Sequence, residues 1–313
     1  MDFISHSPTM TWKCREFYLL LHANKTNMVQ KRKEYFTFAW VTFLFCSLLM
    51  TACGDSDRGA KMMLHQAEAA YKIGDYNKAN ALIDSLKLHY PKAFDVRRES
   101  QRLKRRVTLK EQQENLCFLD SVLRERKEWL NRVKSNYLFE KDTAYQQLGN
   151  YLHPSQAVEK CLHITHLSFR VNERGEMRMT SVYCGKKNIH HSAVTIVAPD
   201  GTYIETANAK ESYETSILGE QIEKSEFKLG EDGGIMNFIY NHRDQKLRVI
   251  FKGEHDYSTL MRDSDVEALV AVYDLAGLLN FIYQTEQERE ACRVKIEFIQ
   301  KSIEKEEKEN GNQ

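Results

Sequence analysis

Residues 94–139 contain no Gly and no Pro, and their apolar positions fall three and four apart. Leu109, Leu116, Leu123, Leu130 and Tyr137 share one heptad position, and Leu119 and Val133 share the other. This spacing predicts one long helix over 94–140 with a coiled-coil seam of about four heptads. Gln112 and Arg126 interrupt the second position, and polar interruptions of a seam set its register. At about 1.5 Å per residue the helix would approach roughly 65 Å. A second helix is expected over 263–306. Asp263-Ser264-Asp265 opens it, and acidic residues favour a helix amino terminus. Leu275, Leu278, Ile282, Cys292, Ile296, Ile299 and Ile303 continue the three–four pattern, with Thr285 and Arg289 as polar breaks. Asp265, Glu267 and Asp274 argue against a membrane span there. The simplest closure pairs the two helices antiparallel, with residues 307–313 as a frayed tail.

Between them the period changes to two. Leu162 to Val171 alternates, Asn172-Glu173-Arg174-Gly175 turns, and Glu176 to Cys184 returns. His190–Ala198, Thr202–Ala207, Gln221–Leu229 and Lys246–Lys252 are further strands, and Gly234–His242 is a short helix. The expectation is an α+β fold with an antiparallel β-sheet or small sandwich over 155–258, flanked by the helix pair.

Residues 62–93 predict a helical hairpin. Leu64, Ala67, Ala70 and Tyr71 line one helix, Gly74-Asp75-Tyr76 turns, and Ala79, Leu82, Ile83 and Leu86 line the next before Pro91. Ala70 to Ala79 resembles a tetratricopeptide repeat, with Ala79 where that family needs a small residue. Only one unit is present, so the resemblance implies a hairpin stacked on the following helix.

The amino-terminal pattern is different again. Lys31-Arg32-Lys33 precedes an almost uncharged apolar run from Tyr35 to Met50, then Thr51, Ala52 and Cys53. Basic, apolar, small is the order of a secretory signal peptide, here 28–52. Leu48-Leu49-Met50-Thr51-Ala52-Cys53 resembles the lipobox of bacterial lipoproteins, with Met50 where the family prefers Leu. The resemblance implies cleavage before Cys53 and acylation of its sulfur and new amino terminus. Two or three acyl chains anchor where one is marginal. Residues 53–61 would be a lipidated tether. Its Asp55 and Asp57 resemble surface-export signals of Bacteroides-like lipoproteins, leaving periplasmic and surface display both open. Residues 1–27 do not fit a signal peptide, so translation is expected to begin at Met28.

Composition narrows the class of role. Of 313 residues, 45 are Lys or Arg and 44 are Asp or Glu. Removing 1–52 leaves 39 basic and 41 acidic residues, a net charge of −2, which argues against nucleic acid as an electrostatic partner. Arg97, Arg98, Arg102, Lys104, Arg105, Arg106 and Lys110 cluster near the start of the long helix. They are expected to form a solvated face. After cleavage the cysteines are Cys53, Cys117, Cys161, Cys184 and Cys292. Cys161 and Cys184 flank the first hairpin, and an oxidising envelope would permit a bridge between them.

Candidate chemistry is sparse. His163, His166, His190 and His191 are the nearest approach to a metal set. On strands, residues three apart or adjacent point to opposite faces, so no metal site is expected. Gly230-Glu231-Asp232-Gly233-Gly234 lacks the alternating ligands of a calcium loop. Ser192 has no Gly-framed elbow and no identifiable His or Asp partner. No catalytic residue and no cofactor are expected. The expected role is non-enzymatic: an envelope lipoprotein, anchored through Cys53, whose β-rich head on a helical stalk meets a protein or glycan partner. An adaptor subunit working through its coiled coil is the alternative. An enzyme with an unrecognised site is the third class.

Overall fold

The computed structural model describes residues 56–311 apart from Thr143. The expected mis-started extension, signal peptide, lipobox and Cys53 lie outside the described residues. Chain contacts divide the molecule into two compact units. One comprises the residues up to Ala69 with Ala81–Ser100, the other Ala70–Asn80 with Gln101 onward.

In the first unit, helix α1 (Ser56–Lys72) and helix α2 (Tyr76–His89) contribute their outer portions, followed by the start of α3 (Phe94–Val133). Ala60, Leu64, Ala67, Ile83 and Leu86 are buried, as are Ala93 and Val96. The helix begins at Ser56 rather than Met62, so most of the expected tether is helical. The reason is burial of Ala60 and the apposition of Gly59 to the Tyr90 ring.

In the second unit, Tyr76 Oη donates to Glu114 Oε1 of α3 at 2.5 Å, which pins the hairpin turn. That bond raises the Tyr76 hydroxyl to about 12. The fold is α+β, with two antiparallel sheets. The strands are β1 (Leu138–Glu140), β2 (Asn150–Leu152), β3 (His166–Asn172), β4 (Met177–Gly185), β5 (Ala193–Val197), β6 (Tyr203–Glu205), β7 (Glu211–Ile217), β8 (Glu220–Lys228), β9 (Arg248–Lys252) and β10 (Tyr257–Leu260). The larger sheet has the order β1-β2-β3-β4-β8-β7 and the smaller β10-β9-β5-β6. Short helices α4 (Val158–Cys161) and α5 (Ile235–Asn241) connect strands, and α6 (Asp263–Gly311) closes the chain.

Period-two alternation sets the larger sheet's inner face. Leu167, Phe169, Met177, Met179 and Phe227 point inward. They join Val194, Ile196, Val249 and Phe251 of the smaller sheet and Ala268, Leu269, Val272, Leu275 and Leu279 of α6 in one apolar core. The first part of α6 is long and apolar enough to cross a membrane by length and composition, but half of that window is buried, the mark of a core helix. The β3–β4 turn sits directly on it. Gly175 has φ +80°, and a Cβ there would lie 2.3 Å from Asn280 N and 2.6 Å from Ala276 O. Beyond the point where β2 stops pairing with β3, a side chain finishes the ladder. Gln156 Nε2 donates to Leu167 O and Gln156 Oε1 accepts from Phe169 N, both at 2.7 Å.

The antiparallel helix pair forms as expected. Arg102 and Arg105 meet Glu306, Lys127 meets Glu286, and Arg289 meets Asp120. Leu123, Leu278 and Ile282 close the seam near the head. The seam's polar breaks have partners: Gln112 Oε1 accepts from Cys292 Sγ at 3.7 Å, and the Arg126 guanidinium lies 5.5 Å from the Phe281 ring centre. Part of the basic segment is thus absorbed by Glu306 rather than left to solvent.

Several boundaries differ from expectation. Helix α3 ends at Val133, not near residue 140, because Tyr137 Oη anchors on Ala271 O at 2.9 Å and Leu138–Glu140 pairs with β2. The β region therefore runs from Leu138 to Leu260 instead of 155–258. Helix α6 continues to Gly311 rather than fraying after 306, its last turns following the arginine clamp on Glu306.

Candidate functional site

Polar side chains concentrate where β4 and β8 meet at one end of the larger sheet. Within β4 and β8 the inward phase carries Ser181, Glu223 and Ser225 among apolar residues. After Gly185 the chain crosses to the smaller sheet through residues 186–192. Ala193, not His190, begins the strand. His190 has φ +53°, and this left-handed residue turns three successive amides inward. Ile189 N and His190 N donate to Glu223 Oε1 at 2.6 and 3.0 Å, and His191 N donates to Oε2 at 2.9 Å. Successive amides converging on one anion form a nest. Burial alone would push the Glu223 carboxyl up, but these bonds and that of the His191 ring hold it below its ordinary value.

A line continues through the core. His191 Nδ1 lies 3.0 Å from Glu223 Oε2, and its Nε2 lies 2.9 Å from Ser181 Oγ. With Glu223 ionised, Nδ1 carries the proton and Nε2 accepts from the serine. Serine, histidine, carboxylate is the order of a hydrolase relay. Access decides against that chemistry. Ser181, His191 and Glu223 are 0%, 3% and 1% exposed. Ser181 Oγ also faces Ser225 O at 3.3 Å, and the Phe251 ring lies edge-on to His191. The amides that would serve an oxyanion are taken by Glu223. The arrangement staples the connector and the smaller sheet to the larger one. Ser192, the serine weighed from sequence, bonds instead to Asn208 Oδ1 at 3.1 Å.

The outer face of the same end carries a second cluster. His163 lies ahead of β3 rather than on it, with φ +58°. It therefore escapes the strand alternation that seemed to isolate it. Its Nδ1 pairs with Glu220 Oε2, and Cys184 Sγ donates to the same oxygen at 3.4 Å. Thr165 Oγ1 clamps Cys184 twice, donating to its carbonyl at 3.1 Å and accepting from its amide at 3.0 Å. Burial first, then the Glu220 bond, pushes the Cys184 thiol up. The His163 bond, then that of Cys184, pulls Glu220 down.

The possible Cys161–Cys184 bridge is not formed, and both thiols are free. Cys161 ends α4. Its thiol lies 3.7 Å from Ser155 O and 3.8 Å from Arg262 Nη2, while Cys184 faces Glu220. The other histidines part ways. His166 is buried, bonds to Ile164 O at 2.8 Å, and burial lowers its pKa. His190 points outward to Glu214, with Nδ1 3.0 Å from Oε1. Asp232 of the glycine-rich loop is buried and accepts from Gly230 N, Gly234 N and Met236 N, so it shapes the loop and opens α5.

Among the described residues, two groups have ligand atoms all within 4.8 Å of one another: His163, Cys184 and Glu220, and His190, Glu214 and Glu223. In the second, both Glu223 oxygens already accept two donors each. Sequence reading missed Ser181, Glu223 and Glu220. For the first two a signal existed: polar residues in the inward phase of strands otherwise apolar on that face.

No family model, curated protein or solved structure matches this chain.

Proposed function

We propose that this chain is a membrane-anchored envelope lipoprotein with a non-enzymatic binding or structural role. Acyl groups on Cys53 hold it to the membrane, and a β-rich head carried with a two-helix arm meets a protein or glycan partner. The observation that carries the reading is the double use of α6. Its first half is core to the head, and its second half leaves that core to pair with α3 as far as Glu306. From Leu279 to Glu306 that is roughly 40 Å of paired helix at 1.5 Å per residue, more than a small core needs. The lipobox resemblance supplies the anchor.

The test is Cys53→Ala in the native envelope. The wild-type chain should yield an acylated peptide beginning at Cys53 and sediment with membranes. The variant should lose the acyl mass and the processing. A variant that stays in membranes through 35–50 with no change in wild-type processing would replace this reading with a spanning anchor.

An adaptor role through the arm has one observation of its own. Phe118 and Phe298 are 59% and 72% exposed on α3 and α6, unusual for a helix pair that needs only its seam. Light scattering separates the two: a monomer favours display, a concentration-dependent oligomer favours assembly.

A further inference from the structure

We propose that His163, Cys184 and Glu220 form a binding site for a divalent transition ion of the zinc class. This goes beyond the proposed envelope role and does not rest on it. Imidazole, thiolate and carboxylate together are a donor set for Zn²⁺ rather than for Ca²⁺ or Mg²⁺, which take oxygen. With Cys184 deprotonated and His163 neutral, the three donors carry two negative charges, which a divalent ion neutralises. Bond lengths of about 2.0–2.3 Å place tetrahedral ligands roughly 3.3–3.7 Å apart. Cys184 Sγ and Glu220 Oε2 are already 3.4 Å apart. The His163 ring is half-exposed and sits closer to Glu220 than an ion between them allows, so ion binding requires a change of its rotamer.

Two further features suit a held site. His163 occupies a left-handed conformation that a residue with a Cβ seldom adopts, and such outliers cluster at functional positions. The Thr165 clamp fixes the segment carrying His163 against the end of β4 through both polar groups of the Cys184 backbone. It supplies the rigidity that ligand positioning requires. Three protein ligands leave a fourth position toward solvent, the pattern of an ion open to water or to a partner's donor. Binding replaces the S–H bond of Cys184 with a metal–sulfur bond and releases that proton to solvent. The second histidine group carries no such proposal, because Glu223 is saturated by its nest.

The test uses the full chain in detergent under reducing conditions, titrated with Co²⁺ as a spectroscopic probe. A thiolate-to-cobalt charge-transfer band should saturate near one equivalent and vanish on addition of equimolar Zn²⁺. Cys184→Ser should abolish the band, whereas Cys117→Ser and Cys161→Ser should leave it intact. His163→Asn and Glu220→Gln should each weaken Zn²⁺ binding by about tenfold or more. Asparagine tolerates the left-handed backbone, so His163→Asn tests the ligand even if Cys184→Ser fails to fold. The proposal is overturned if no band forms, if the band survives Cys184→Ser, or if the His163 and Glu220 variants bind Zn²⁺ as the wild type does.

Discussion

Glu223 is the residue on which the joint between the sheets most depends, and two substitutions there measure it. The carboxylate accepts three backbone amides and one imidazole while 1% exposed. Glu223→Ala leaves the amides of Ile189, His190 and His191 without an acceptor and removes the partner of Nδ1. Hydrogen bonds to a charged group contribute about 1.5–3 kcal/mol each, but they do not add, because the site relaxes and admits water. Each buried donor left without an acceptor costs about 1–3 kcal/mol before such relaxation, and we expect about 3–5 kcal/mol in all for alanine. Glu223→Gln should cost less. Its Oε1 can keep Ile189 and His190, and the His191 ring can change tautomer, accepting from the new amide through Nδ1 and donating through Nε2 to Ser181. Only the His191 amide is then left facing a donor, at about 1–3 kcal/mol.

The assay is equilibrium denaturation, with hydrogen exchange at the three amides. Alanine should lower the thermal midpoint by roughly 6–20 °C for a chain of this size, and protection at 189–191 should fall with it. The pH profile adds a sign. The folded carboxyl lies below its ordinary value of 4.5. Its contribution is therefore present above that value and lost as pH falls through the folded one. Wild type should lose stability on acidification more steeply than Glu223→Gln. If Glu223→Ala costs under about 1 kcal/mol with the three amides still protected, the nest does not hold the sheets together.

Two other predictions are independent of that joint. Gly175→Ala should destabilise by about 2–4 kcal/mol in denaturant melts, since it combines a left-handed backbone with a Cβ inside contact distance of α6; an unchanged midpoint would mean that the turn does not rest on the helix. The Glu214 hydrogen bond raises the His190 pKa above its ordinary 6.5. Its pairing is thus fully present below 6.5 and lost as pH rises through the folded value. Proton NMR should show a raised His190 titration that returns toward 6.5 in Glu214→Gln, and the same midpoint in both would refute the pairing.

The helix pair was legible in sequence because a heptad seam is a local pattern that survives without its partner. Leu119, Leu123, Leu278, Ile282, Cys292 and Ile299 are all buried. The strands with a buried face, β3, β4 and β8, were legible for the same reason. Strand β7 was not. It is exposed on both faces at the sheet edge, so nothing in it alternates. Strands β1 and β2 are three residues each, with β2 paired to β3 and β1 to β2. The Gln156 side chain, which takes a strand's place beside β3, has no sequence pattern at all. The polar site was half legible. Ser181 and Glu223 break the inward phase, but which connector they grip depends on a left-handed residue, His190, that periodicity cannot identify. His163 was misjudged by one assumption, that it belonged to a strand.

The two clusters at the end of β4 and β8 differ in what they can still bind. Both use a histidine in a left-handed connector conformation and a glutamate of β8, on opposite faces of the same strand pair. On the inner face, amides from the connector complete the carboxylate, and the apolar core closes over it. On the outer face, the carboxylate meets only a half-exposed imidazole and a thiol. Charge on the inside is satisfied by protein alone, whereas the outer donors are satisfied only by one another. A divalent ion entering there would tie the start of β8 to the end of β4 and to the segment leading into β3. Those are the strand ends on whose other face Tyr183 and Glu223 stand opposite each other. An ion bound there only by the folded chain would stabilise it by mass action.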